Sequence, residues 1–327
     1  MSIVSNILRQ SKTLNVLTAS THERYQHGLD KTGHTFFLFQ HRSFKEWNSK
    51  FAKYPPNHIP LYGEGLGQIP EWLDIDLVLS QNKFGQFQVL GNIAKQLGVP
   101  LVSIEHTLPA PWWNQDQLEQ LRNMRGDINL FISEYSIKEW GWDSKDDTYV
   151  IHHGIDTELF KDRGYTRDNV CLSVVNDWIN RDVFCGYNIW RRITDLLPVI
   201  VLGATPGLSE PAKSTQALAE SYSKSRIFVN TSLISPIPTA LLEAMSSGCA
   251  CVSTATCMIP EIIENGVNGF ISNDEKKLRE YIELLLNDEV LANELGKNAR
   301  STILTKFSND KFIDSWNNIL WKASGKS

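Results

Sequence analysis

The chain has 327 residues, 42% hydrophobic and 21% charged, the composition of a folded globular protein with room for two domains. Its formal net charge of −5 excludes a uniformly basic surface. Five cysteines, all beyond residue 170 and none in C-x-x-C spacing, exclude a zinc-ribbon or disulfide framework. No run approaches the ~20 apolar residues that span a bilayer, and the first twenty residues lack a signal-peptide core, so a cytoplasmic protein is expected.

In chain order, apolar runs at 14–17, 35–39, 77–79, 101–104 and 130–132 predict buried strands in the first half. Runs at 149–152, 170–175, 199–202, 226–230 and 249–254 predict those of the second, and helical stretches such as 85–97 and 239–247 lie between. This rhythm predicts an α/β chain with two doubly wound parallel sheets of about five strands each. The polar stretch 152–169 marks the boundary. Phe307, Phe312, Trp316, Leu320 and Trp321 fit a last amphipathic helix.

The most informative segment is 230–273. A strand leads through Ser235-Pro236-Ile237-Pro238 into a helix from Thr239 that Gly248 stops. The amides of Ile237, Thr239 and Ala240 would be open at the positive end of the helix dipole, an anion site. Glu243 lies one turn below Thr239 on the same face, where a carboxylate could accept two hydroxyls, as a ribose offers. The same spacing equally fits an ordinary helix start with a solvent-facing Glu.

Leu241-Leu242-Glu243-Ala244-Met245, Gly248, Val252, Thr254, Pro260-Glu261-Ile262-Ile263 and Gly266-Val267-Asn268-Gly269-Phe270 stand in one register. His153-Gly154-Ile155-Asp156 precedes them. This pattern, over about residues 150–320, resembles the retaining GT-B glycosyltransferases of family 4, the glycosyl transferases group 1. The resemblance implies two Rossmann-like domains facing a cleft, 1–155 on the acceptor side and 156–306 binding a nucleotide-sugar. Residues 307–327 would form a helix returning to the first domain. It also implies that Glu243 holds the ribose, that the amides around Pro238 to Ala240 hold the diphosphate, and that Ser235 and Glu261 belong to the donor site. Ser235 stands where the family has a Glu that touches the donor sugar, which points away from the common hexoses. Cys257-Met258 replaces a Gly-Gly pair, a tighter approach for anything bound there. Arg181 is the one cation in the loop 176–186, where the family's phosphate-binding cations stand; an ion pair with Asp177 or Asp182 is the alternative.

In the first half, His106 matches the family's His beside the transferred sugar, against a His that simply ends a strand. His22, Glu23 and Arg24 occupy the acceptor-facing loop, and Trp112 and Trp113 offer stacking faces or, alternatively, interdomain packing. Residues 9–53 carry eight Lys or Arg against three Asp or Glu. Within them Phe44, Trp47, Phe51 and Tyr54 recur at helical spacing, interleaved with Arg42, Lys45, Lys50 and Lys53. Such a stripe reads first as core, and second as contact with an anionic surface or nucleic acid through 41–54.

The expected activity is transfer of a sugar, with retention, from a UDP- or GDP-linked donor to a hydroxyl of a glycan, a lipid or a hydroxylated DNA base. No cofactor or metal is expected. The alternatives are a nucleotide-sugar epimerase of the same fold and a non-catalytic nucleotide-sugar binder.

Overall fold

Strands rich in Leu, Ile, Val and Phe are buried along their whole length, as at 77–80, 101–105 and 225–230. The computed structural model describes residues 13–49, 52–142 and 147–326. These form two units: residues up to Ile132, with Trp140–Ile151 and the chain from Phe312, and then Ser133–Glu139 with His152–Lys311.

The first unit holds β1 (Asn15–Thr18), α1 (Glu23–Leu29), β2 (Thr35–Leu38), β3 (His58–Pro60), β4 (Leu77–Ser80) and α2 (Gln86–Leu97). After them come β5 (Leu101–Glu105), α3 (Gln115–Arg122), β6 (Ile128–Phe131) and β7 (Thr148–Val150). Its sheet is parallel in the order β3-β2-β1-β4-β5-β6-β7. The order reverses between β1 and β4, and the loops following them are tied there by Gln86, whose Nε2 donates to Thr21 Oγ1 (2.6 Å) and to the Ser20 carbonyl (3.0 Å).

The second unit holds α4 (Glu134–Glu139), β8 (Asp168–Val174), α5 (Asp182–Cys185), α6 (Tyr187–Ile193), β9 (Val199–Leu202), α7 (Thr215–Lys224) and β10 (Ser225–Asn230). It continues with α8 (Thr239–Ser246), β11 (Ala250–Ser253), α9 (Ile259–Ile262), β12 (Phe270–Ile271), α10 (Glu275–Asn287) and α11 (Glu289–Lys306). Its parallel sheet runs β12-β11-β10-β8-β9, reversing between β8 and β10. From Phe312, α12 (Asn309–Ser324) belongs to the first unit, where Trp316 Nε1 donates to Tyr25 Oη (3.0 Å).

Three expectations are corrected. The run at 149–152 is an edge strand of the first sheet, not part of the second, because Leu130 pairs with Tyr149. The sheets have seven and five strands; β3 and β12 are too short, at three and two residues, to show a pattern. The aromatic stripe forms no helix among the described residues of 39–57; Lys50, Phe51, Arg9 and Lys12 lie outside them. Side chains shape this segment instead. Phe44 packs on the first unit's core, Trp47 lies against Tyr54 and His58, and Trp47 Nε1 donates to the Ala52 carbonyl. Pro55 and Pro56 further oppose a helix.

Among the described residues no helix is long and apolar enough to cross a membrane. No cluster of three or more His, Cys, Asp or Glu is placed to hold a metal.

Two consequences are testable. A Cβ on Gly296 of α11 would lie 2.1 Å from the Gly248 carbonyl oxygen at the end of α8. Helix propensity alone favours Gly296→Ala by about 1 kcal/mol, whereas the clash costs roughly 1–3 kcal/mol. The variant is expected to unfold at lower urea; an unchanged or higher midpoint contradicts this packing.

The second concerns Glu23, only 5% exposed, which takes Lys45 Nζ at 2.7 Å and the Asn48 amide at 3.1 Å. Burial pushes its carboxyl up, but Lys45 and the amide outweigh that and hold it below the usual carboxylate range. A depressed group of this kind adds stability above the unfolded value of about 4.3, lost as pH falls through the folded value. In Lys45→Met burial should win, so that Glu23 titrates above the usual range by NMR and opposes folding at neutral pH. An unmoved, depressed titration would refute the pairing.

Candidate functional site

In the second unit the loops after β8 and β10, neighbours at the point of strand reversal, are stapled together. The Leu233 amide donates to the Phe184 carbonyl (2.8 Å) and Thr231 Oγ1 to that of Cys185 (3.0 Å). Gly186, at φ +63°, lies so close to Thr231 that a Cβ would sit 2.2 Å from its carbonyl oxygen. Trp178, fully buried, anchors the first loop by donating from Nε1 to the Cys185 carbonyl (2.8 Å). On the other side, Thr254 and Thr256 each donate a hydroxyl to the Ser232 carbonyl at 2.6 Å. The loop leading to α8 is thus held from both flanks, in a crevice where open α/β sheets bind ligands.

Pro238 opens α8 with extended backbone. The Leu241 amide turns back to the Pro238 carbonyl (3.1 Å), while those of Ile237, Thr239 and Ala240 meet no acceptor among the described residues. Ile237 is buried, Ala240 half-buried and Thr239 exposed, so this end of the helix reaches the surface. The opposite end is closed by cations. Arg300 Nη1 donates to the Ser246 carbonyl (2.5 Å), and Arg167 Nη2 to the Ser247 carbonyl (2.6 Å) and to Asp162 (3.4 Å). Guanidinium groups at the negative pole of the dipole offset it, and the positive pole keeps its capacity for an anion.

Glu243 is not the solvent-facing residue that spacing allowed. It is 8% exposed, and the buried Tyr222 hydroxyl donates to its Oε2 at 3.0 Å. Ser235 is half-buried, and its amide contacts the Cys257 thiol, which the Tyr135 hydroxyl also meets. Cys257 has a left-handed backbone, φ +52°, that glycine adopts more readily. Tyr135 reaches it from α4, a segment of the first half in sequence that belongs to the second unit. Glu261 is exposed on α9. Partial burial raises its carboxyl above the usual range, Lys138 of α4 opposing.

Arg181 is exposed beside α5, with Nη1 donating to the Asn176 carbonyl (3.4 Å). The ion pair open as an alternative does not form, because Asp177 accepts from Asn180 and Asp182 from Asn188.

In the first unit, His106 sits just past β5, its ring edge-on to His22 (5.0 Å) and Tyr25 (4.5 Å). Glu23 is paired with Lys45, while Arg24 is exposed. Trp113 packs within its own unit on Trp140 (6.0 Å) and Phe84 (5.4 Å), and Trp112 stands 62% exposed beside it. Tyr222, Tyr135, Arg167 and Arg300 were missed by sequence reasoning. A lone charged residue in the otherwise uncharged helix Thr239–Ser246 was the one signal calling for a partner such as Tyr222.

Residues 211–302 match the family model described as Glycosyl transferases group 1. Over 83 residues the chain is 31% identical to N-acetyl-alpha-D-glucosaminyl L-malate synthase of Bacillus anthracis, a match spanning 25% of this chain and 22% of that relative. Among solved structures, Anabaena HepE in complex with UDP is similar, with a TM-score of 0.75 and 17% identity over 95% of this chain and 100% of that one. Sucrose-phosphate synthase from Thermosynechococcus elongatus gives 0.77 and 14% over 96% and 100%. S. aureus TarM, solved with UDP and alpha-GlcNAc-glycerol, gives 0.58 and 14% over 75% and 55%. The chain therefore has the GT-B fold of these glycosyltransferases, and in residues 211–302 it carries the signature of the glycosyl transferases group 1.

Proposed function

We propose that this protein transfers a sugar from a nucleoside diphosphate-sugar to an acceptor hydroxyl with retention at the anomeric carbon, without a metal. The observation that carries the reading is the start of α8. There, amides of Thr239 and Ala240 without an acceptor among the described residues lie at a positive helix end, one turn above the buried carboxylate of Glu243. In this assignment the amides and Arg181 take the diphosphate, and Glu243 takes the ribose.

The bond from the anomeric carbon to the phosphate oxygen breaks as the acceptor oxygen bonds to that carbon. The acceptor's proton passes to the departing phosphate oxygen, so no protein base is required. The protein supplies fixed positive dipoles where negative charge develops. His106 is assigned to the transferred sugar, and Trp112 with Trp113 to the acceptor. A glycan acceptor is favoured over DNA, because Lys45 of the basic segment is spent on Glu23. Ser235 offers no carboxylate to a hexose and the Cys257 side chain narrows the adjoining turn, which favours a donor sugar other than the common hexoses, such as a pentose.

The test is a panel of UDP-, GDP- and ADP-sugars read by mass spectrometry, with and without a mixture of glycan acceptors. Acceptor-dependent release of nucleotide supports transfer. Donor isomerisation without acceptor would instead mean an epimerase, and binding without turnover a binder. Glu243→Ala is expected to weaken donor binding about 10- to 100-fold by calorimetry, the scale of a hydrogen bond to a charged group. Unchanged affinity would refute the assignment.

A further inference from the structure

Tyr222, at the end of α7, has no part in the reading above. Its side chain is fully buried, with Phe160 edge-on at 5.9 Å and Phe228 tilted at 5.7 Å. Its carbonyl oxygen is fixed as well, accepting from Arg167 Nη1 (3.2 Å) and Cys249 Sγ (3.1 Å). From this clamped position the hydroxyl donates to Glu243 Oε2 at 3.0 Å.

Glu243 has the opposite problem. On its own face of α8 it has Thr239 and Ala240 one turn above and the fully buried Ser246 and Ser247 one turn below, and Glu243 itself is only 8% exposed. A carboxylate there needs a hydrogen bond to stay charged, and three side-chain torsions must be fixed for it to present one direction. A phenol held by two rings and a pinned backbone supplies both. It fixes Oε2, and with it the plane of the carboxylate and the direction in which Oε1 points.

We propose that Tyr222 is a positioning residue for the nucleoside. By holding Oε2 of Glu243 it aims Oε1 at the ribose diol, and so gives the site its preference for ribose over a sugar lacking those hydroxyls. The proposal rests on the assignment of Glu243 to the ribose.

The two ideas separate in a calorimetric comparison of UDP with 2′,3′-dideoxy-UDP, using the full chain, wild type and Tyr222→Phe. Wild type is expected to prefer UDP by tenfold or more. Tyr222→Phe is expected to cut that preference at least threefold while moving the dideoxy affinity by less than twofold. A general loss of structure would weaken both ligands alike, which overturns the proposal. An unchanged preference overturns the role of Tyr222 and leaves Glu243 in place. No preference in wild type overturns the ribose assignment and the proposal together. In a Glu243→Ala background, Tyr222→Phe should cost no further UDP affinity; a further loss means that Tyr222 acts elsewhere.

Discussion

The site depends on an asymmetry between the two ends of helix α8. Its last carbonyls, Ser246 and Ser247, are taken by Arg300 and Arg167, which reach in from α11 and from just ahead of β8. Arg167 is nearly buried, and its other nitrogen also bonds the Ser225 carbonyl (2.8 Å), so the contact is part of the core. The first turn has no such closure. A helix eight residues long therefore presents one neutralised pole and one open pole, and a charged ligand can be held only at the open one.

The surroundings preserve this arrangement. α11 lies against the end of α8 so closely that only glycine fits at Gly296. Arg300 also holds the carbonyls of Thr157 and Phe160, just past His153-Gly154-Ile155-Asp156, and Ile155 is pinned to the Phe307 carbonyl (2.8 Å). Asn268, in the Gly-Val-Asn-Gly turn, donates to the Ile262 carbonyl and to Thr302 of α11. Segments that look like signature motifs for ligand binding are thus largely the scaffold that places α8. The residues assigned to the ligand itself are few, and several of them act through main-chain amides.

That division explains how much was legible. The α8 segment could be read because a Pro start, a Gly stop and a glutamate at fixed spacing are local features, and the strands on either side each centre on a short apolar run. The partners of those residues are distant in sequence: Tyr222 is 21 residues from Glu243, and Arg300 is 54 from Ser246. No periodicity connects them. In the stretch 41–54 the aromatic spacing marked side chains that pack, as Phe44 does on the core, but not the backbone, because the buried Glu23 holds Lys45 and Asn48 in an irregular segment. Segment 133–139 follows a first-unit strand, so its contribution of Tyr135 to the Cys257 turn left no local trace. Cys257 shows the converse: a left-handed backbone, which glycine would announce in a sequence, is carried by a residue that does not.

If the open end of α8 receives a nucleoside diphosphate, amide hydrogen exchange resolved to single residues will register it there. Thr239 and Ala240 lack acceptors among the described residues, so their amides should exchange rapidly in the protein alone. Saturating UDP should slow both. Unchanged exchange at Thr239 and Ala240 under saturating UDP, or protection confined to the first unit, would contradict the account.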